Sequence, residues 1–176
     1  MFIVDPIETN AKSKKWFKTK KLKSIITLDF FIGGSMETRI IESAEDKQKV
    51  EKLRSEVFHM DSTGTYYLNE LLNNKEYAIV SLENNEMLAG CYFHRFDNIL
   101  VIDQLFVKEK YQNTGLKLGR ELIKKLILSK ESIEKLLGGK LELCKIESQN
   151  EKAHNIYSKM GFYESKYDED TFYKSI

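Results

Sequence analysis

Two cysteines, Cys91 and Cys144, and three scattered histidines, His59, His94 and His154, are all that the chain offers in thiol and imidazole metal ligands. Two thiols inside apolar runs make neither a disulfide framework nor a zinc site, and the histidines match no metal-ligand spacing. No metal is therefore expected, and a reducing cytoplasm is the expected setting. Long apolar runs are missing too. A bilayer span needs roughly 20 predominantly apolar residues, whereas the nearest approach, "SIITLDFFIGG" at 24–34, is shorter and is interrupted by Asp29. No membrane partner is expected, and no small-residue cleavage site of a secretory signal is evident. Net charge is nearly absent, at +1. Beneath it lies an asymmetry: residues 1–35 hold seven lysines against Asp5, Glu8 and Asp29, and the remaining 21 basic and 24 acidic residues leave the rest at −3. A mildly acidic body argues against a nucleic-acid-binding surface.

What is present suits one domain, since 176 residues with 41% hydrophobic content can build one sizeable core and are short for two. Residues 1–35 differ from the rest. "AKSKKWFKTKKLK" at 11–23 is a lysine run around an aromatic pair, and Gly33-Gly34-Ser35 precedes Met36. This segment reads as a flexible extension, a non-native leader, or upstream sequence translated ahead of a start at Met36. The functional alternative is a basic arm that touches anionic partners.

Residues 36–176 are patterned throughout. Alternation predicts a strand over 38–44, and Val50, Leu53, Val57 and Phe58 at helical spacing predict a helix over 44–58. A short second helix within 62–74 carries Tyr67, Leu68, Leu71 and Leu72. Residues 77–107 read as three strands, with turns at Glu83-Asn84-Asn85 and near Asp97-Asn98. One helix then places Leu118, Leu122, Ile123, Leu126 and Ile127 on one face, and Gly138-Gly139 marks a break. A strand at 140–146, a helix at 150–161 closed by Gly161, and strands at 162–167 and 171–176 complete the order β α α β β β α β α β β. Strands joined partly by helical crossovers imply an α/β domain with a mixed, partly antiparallel sheet.

The segment "LFVKEKYQNTGLKLGRELIKKL" at 105–126 raises a question of charge. A helix start favours Asp or Glu because peptide dipoles leave partial positive charge there, yet Gln112, Asn113, Thr114 and Gly115 include no acid. Orphan backbone N–H groups at such an end make an anion site, and a glycine lets a phosphate approach. The alternative is a turn glycine in a solvated connection. The segment lacks the two glycines and Gly-Lys-Ser/Thr of a P-loop, and it lacks G-x-G-x-x-G, having only Gly115 and Gly119.

Taken with "LELCKIESQNEKAHNIYSKMGFYES" further on, the chain resembles a GNAT-family N-acetyltransferase over roughly residues 37–176. The family's acyl-CoA loop, Gln/Arg-x-x-Gly-x-Gly/Ala, is matched by Gln112, Gly115 and position 117. Its later Asn-x-x-Ala, aliphatic-Tyr and Gly-Phe elements are matched by Asn150, Ala153, Ile156-Tyr157 and Gly161-Phe162. One position departs: the sixth loop residue, usually Gly or Ala, is Lys117, whose side chain must point away from a diphosphate or pair with it.

The resemblance implies helices on both faces of a sheet whose fourth and fifth strands splay apart. It implies acetyl-CoA as cosubstrate, with pantetheine amides pairing to backbone near Phe106 and Val107 as an added strand would. The diphosphate would rest on the amides of Gln112, Asn113, Thr114, Gly115, Leu116 and Lys117. Tyr157 would be the acid for the leaving thiolate, or else an aromatic packing beneath the sheet. Asn150 would bond the pantetheine or cap its helix. Asp103 would accept the amine's proton or face solvent as an ordinary strand carboxylate, and a backbone N–H at Phe106 or Val107 would serve the thioester oxygen.

The acceptor implied is a primary amine on a small molecule or peptide. Tyr66, Tyr67, Tyr92, Tyr163 and Tyr173, with Asp61, Asp168, Glu169 and Asp170, are its candidate walls. A homodimer is left open. The competing functions are an acyl-CoA-binding sensor without turnover, kept in view by Lys117, and an anion-binding α/β domain whose basic arm recruits nucleic acid or a membrane surface. Cys144, Cys91 and His94 read as strand residues without partners, and His154 as a solvent-side helix residue.

Overall fold

The computed structural model describes residues 36–59 and 65–176, so the readings placed on 1–35 and on Asp61 lie outside the described residues. Strand β1 (Met36–Ile40) leads into helix α1 (Ala44–Val57), whose start is set by Ser43 accepting a hydrogen bond from the Asp46 N–H and by Glu45 and Asp46 in the first turn. Helix α2 (Thr65–Leu72) follows. Strands β2 (Tyr77–Glu83), β3 (Glu86–Phe96) and β4 (Ile99–Val107) form a meander. Its turns carry Asn84, Asn85 and Asp97 at positive φ, a conformation Asn and Asp tolerate better than other side chains.

A 3-10 turn (Glu109–Tyr111) joins β4 to α3 (Leu118–Leu128), and α4 (Lys130–Leu137) follows. Strand β5 (Leu143–Glu147), helix α5 (Glu151–Lys159) and strands β6 (Tyr163–Glu164) and β7 (Thr171–Ser175) close the chain.

The seven strands make one sheet in the order β1-β2-β3-β4-β5-β7-β6, antiparallel everywhere except between β4 and β5. Two cores sandwich it. On one face α1 and α2 cover Val50, Leu53, Leu71, Val80, Tyr92 and Phe106. On the other, α3, α4 and α5 cover a larger cluster that includes Leu122, Ile123, Leu126, Ile133, Tyr157 and Phe172. Each such side chain contributes about 1.5–3 kcal/mol by leaving water. The mixed α/β sheet with helices on both faces is as the sequence predicts.

Four details differ from the sequence reading. The first strand ends at Ile40, because Ser43 is needed as the α1 cap. The expected single helix before Gly138 is two helices, broken at Ser129. The fifth strand pairs over Leu143–Glu147. The segment 162–167 pairs only at Tyr163 and Glu164, since beyond Ser165 the chain turns through Asp168, which accepts from both the Thr171 hydroxyl and the Asp170 N–H.

Two irregularities in β4 position the site. Parallel pairing with β5 runs only from Ile99↔Leu143 to Ile102↔Ile146, so the strands part beyond Ile102. At the same point the β3–β4 register jumps from Phe93↔Ile102 to Tyr92↔Gln104, which leaves Asp103 as the extra residue of a β-bulge.

Candidate active site

The bulge re-aims side chains. Ile102 packs into the core under α3–α5. Asp103 instead meets the Tyr67 hydroxyl by a hydrogen bond, and Gln104 Oε1 accepts from Arg54 Nη1 at 3.3 Å. Two consecutive residues therefore face the α1–α2 side. Arg54, almost fully buried, is held by Glu51, with Nη2 2.7 Å from Oε1, and Tyr92 donates to Glu51 Oε2 at 2.8 Å. Burial and the Asp103 bond push the Tyr67 hydroxyl well above the usual tyrosine value. Tyr92 is wholly buried, so it is a core residue and not the pocket wall expected of it.

Backbone alternation decides what the gap offers. The Lys108 N–H bonds to Leu88 O, which turns the even-numbered backbone groups of this end of β4 toward β3. Phe106, opposite Gly90, is thus committed to the ladder, and the groups of Leu105 and Val107 face the gap. Of the two amides expected to serve the thioester oxygen, only that of Val107 points the right way. The Val107 carbonyl already accepts from Gln112 Nε2 at 2.8 Å, which ties the loop to the strand.

The loop itself is exposed from Gln112 to Lys117. Asn113, Gly115 and Lys117 all have positive φ (60, 82 and 54°), and the Thr114 hydroxyl donates to Tyr111 O at 2.9 Å. Lys117 is the residue preceding α3, and no side chain caps that end. Its left-handed backbone explains why a glycine suits this position better than a lysine. Gly119 is closely packed: a Cβ there would stand 3.1 Å from Leu105 Cδ2, so this glycine lets α3 close on β4.

A cleft of about 1290 Å³ opens over this ground. Eight of the residues singled out from sequence line it: Phe106, Val107, Gln112, Asn113, Gly115, Lys117, Asn150 and Tyr157. Thr114 and Leu116 do not, nor does Asp103, which lies on the other face. The walls also carry Arg120, Lys124, Lys152, Lys159 and Lys174, which sequence reading passed over, and include no carboxylate. Arg120 and Lys124 are spaced i, i+4 on α3 and Lys152 and Lys159 seven apart on α5, so each pair shares a helix face. That spacing was the available signal.

Tyr157 sits at the inner end, buried against Phe162 and Phe172. Burial raises its hydroxyl above the ordinary value, and a hydrogen bond with Ser148 works in the opposite direction. Tyr157 packs beneath the sheet, as one of its two sequence readings has it, and it also lines the cleft. Asn150 Oδ1 accepts from the Lys152 N–H at 3.0 Å and caps α5, and the residue also borders the cleft.

Both cysteines are buried and free. His154 is not on the solvent side: its ring centroid lies 4.7 Å from that of Phe172. His94 is not partnerless either, for Glu76 Oε1 lies 2.8 Å from its Nδ1. Among the described residues no cluster suited to a metal occurs, and no helix is long and apolar enough to cross a membrane.

The split between one parallel strand pair, an uncapped helix start and a cationic cleft thus adjoin one another. The acetyltransferase (GNAT) family model matches residues 40–162, and the chain belongs to that family. No curated protein matches at a significant level. Among solved structures, an acetyltransferase from Streptococcus agalactiae is 16% identical, with a TM-score of 0.62 over 82% of this chain and 100% of that one. The PaiA N-acetyltransferase from Thermoplasma acidophilum, in complex with coenzyme A, is 21% identical, with a TM-score of 0.57 over 81% and 99%. AtaT complexed with acetyl-methionyl-tRNAfMet is 14% identical, with a TM-score of 0.57 over 80% and 95%. At these identities the likeness establishes the shared fold.

Proposed function

We propose that the chain transfers the acetyl group of acetyl-CoA to a primary amine by direct attack while both are bound. The observation that carries this is the cleft: six cations and no carboxylate line a space that ends where β4 leaves β5. Anionic coenzyme suits such walls, and the residues present fit it. The amides of Gln112 to Lys117 and the start of α3 would hold the diphosphate, with Lys117 pairing to it by charge. Leu105 and Val107 would pair with the pantetheine arm as a neighbouring strand does, and Asn150 would add a side-chain amide.

Chemistry would follow at the vertex of the split. The amine must arrive neutral, although a free alkylamine has a pKa of roughly 10, and Asp103 on the α1–α2 face is positioned to accept its proton. The nitrogen then attacks the thioester carbon, and the Val107 N–H stabilises the oxygen as charge gathers there. When the carbon–sulfur bond breaks, Tyr157 protonates the thiolate and recovers a proton from the new amide nitrogen. Holding both reactants in contact supplies much of the rate.

The acceptor is an amine of a small molecule or peptide in this reading. The α-amine of an aminoacyl-tRNA is the competing acceptor, favoured by the AtaT complex. A sensor that binds acyl-CoA without turnover is the second reading, favoured by Lys117 in its left-handed conformation. Thiol release from acetyl-CoA, tested with small amines, an N-terminally free peptide and aminoacyl-tRNA, separates the three. Coenzyme binding with no thiol release from any of them supports the sensor.

A further inference from the structure

On the α1–α2 face, one step beyond the bulge, His94 of β3 pairs with Val101 of β4. Its Nδ1 lies 2.8 Å from Glu76 Oε1 at the start of β2. The two residues are 18 apart in sequence and meet because Tyr77 pairs with Phe93. The contact is that of an ion pair and not of a straight hydrogen bond, and the second Glu76 oxygen is buried without a partner. A buried carboxylate left so is costly unless a cation neutralises it. When protonated, His94 supplies that charge. The His94 side chain is 29% exposed, against 12% for Glu76, so Glu76 is the inner member and the ring reaches solvent.

We infer that His94, held by Glu76, is the catalytic base that carries away the proton of the acceptor amine, and that Glu76 is its positioning residue. This rests on the acetyl-transfer reading and reassigns to His94 the proton that reading gives to Asp103. Asp103 then attracts the ammonium and His94 receives the proton. In balance, the ammonium nitrogen gives one proton to the free ring nitrogen, and the neutral amine attacks. Tyr157 supplies and regains the proton that goes to sulfur, and His94 later releases its own to water. Imidazole is the side chain whose ordinary titration falls near neutrality, which suits a base that must reset in each turnover.

The charged groups around His94 act in a consistent sense. Glu76, just ahead of β2, raises its pKa most, burial lowers it, Asp103 from β4 raises it and Lys145 from β5 lowers it, with a net rise above 6.5. Tyr67 from α2 reaches the same cluster through its bond to Asp103. A base must be unprotonated, so the rate should climb as pH rises through this value. Removing Glu76 should move that limb to lower pH.

The test uses the full chain with Glu76→Gln and His94→Gln variants. Imidazole titration by NMR, with His94→Gln assigning the signal, should give a midpoint above 6.5 that falls in Glu76→Gln. Thiol release from acetyl-CoA with spermidine, phenylethylamine and an alanyl peptide should show an acid limb at the same midpoint. That limb should shift with Glu76→Gln, and turnover should drop about 10²-fold in His94→Gln. The inference is overturned by a titration or a limb that Glu76→Gln leaves in place, or by thiol release from none of the three amines. Thiol release and calorimetry of coenzyme A with the wild-type chain distinguish the failures: no coenzyme binding, or binding with no thiol release, overturns the acetyl-transfer reading itself, whereas thiol release with a limb that Glu76→Gln leaves in place confines the error to His94.

Discussion

Tyr157 and Asp103 lie on opposite faces of one sheet, and the split between β4 and β5 begins beside Asp103. An acid on the coenzyme side and acceptor-side groups on the other can act on one carbon only through that opening. Tyr157→Phe keeps the packing against Phe162 and Phe172 and deletes the hydroxyl. Turnover should fall about 10²-fold while acetyl-CoA affinity changes less than about 2-fold. Because burial raises the hydroxyl above its ordinary value, the acid stays protonated through neutrality, and activity should not decline with pH below 10 on its account. Equal turnover in the variant, measured at saturating coenzyme, removes Tyr157 from the chemistry.

Gly90 faces Phe106 so closely that a Cβ on it would stand 2.5 Å from the ring. Gly90→Ala must push the ring toward the cleft it lines. The expected cost is about 1–3 kcal/mol, read by urea denaturation, together with weaker coenzyme A binding. Unchanged stability would show that the ring has room to move.

Lys117→Gly relieves a left-handed lysine. A non-glycine residue there costs roughly 1–2 kcal/mol and glycine's chain entropy roughly 0.5–1, so the variant should gain up to about 1 kcal/mol. Coenzyme A affinity should fall a few-fold, with a weaker salt dependence, because an exposed charge pair is worth up to about 1 kcal/mol. Tighter binding by the variant would mean that the lysine obstructs the phosphates.

Asn150 separates capping from binding by choice of replacement. Asn150→Ala should lose about 1 kcal/mol of stability. Asn150→Ser retains the cap and should keep that stability, yet lower coenzyme A affinity about 5-fold through one lost hydrogen bond. Full affinity in the serine variant would leave Asn150 as a cap alone.

Local chemistry made most of the fold legible. Asn84-Asn85 and Asp97 announced their turns, the apolar spacing of α1 and α3 announced helices, and Gly161 announced the end of α5. The α3–α4 break did not show, because Ser129-Lys130 carries no glycine or proline and apolar residues continue through Ile133 and Leu136. The loop from Gln112 to Lys117 was readable because the phosphate site proposed for it uses consecutive backbone groups. Arg54 was not, since its charge suggested solvent while Glu51 and Gln104, from the same helix and a distant strand, enclose it. His94 and Glu76 were invisible for the same reason: only the β2–β3 register brings them together.

Titration calorimetry of the chain with acetyl-CoA tests the central claim most directly. One-to-one binding with a Kd between about 1 µM and 1 mM, weakening as salt rises, is the predicted result. Absence of any heat at millimolar acetyl-CoA or coenzyme A would contradict it.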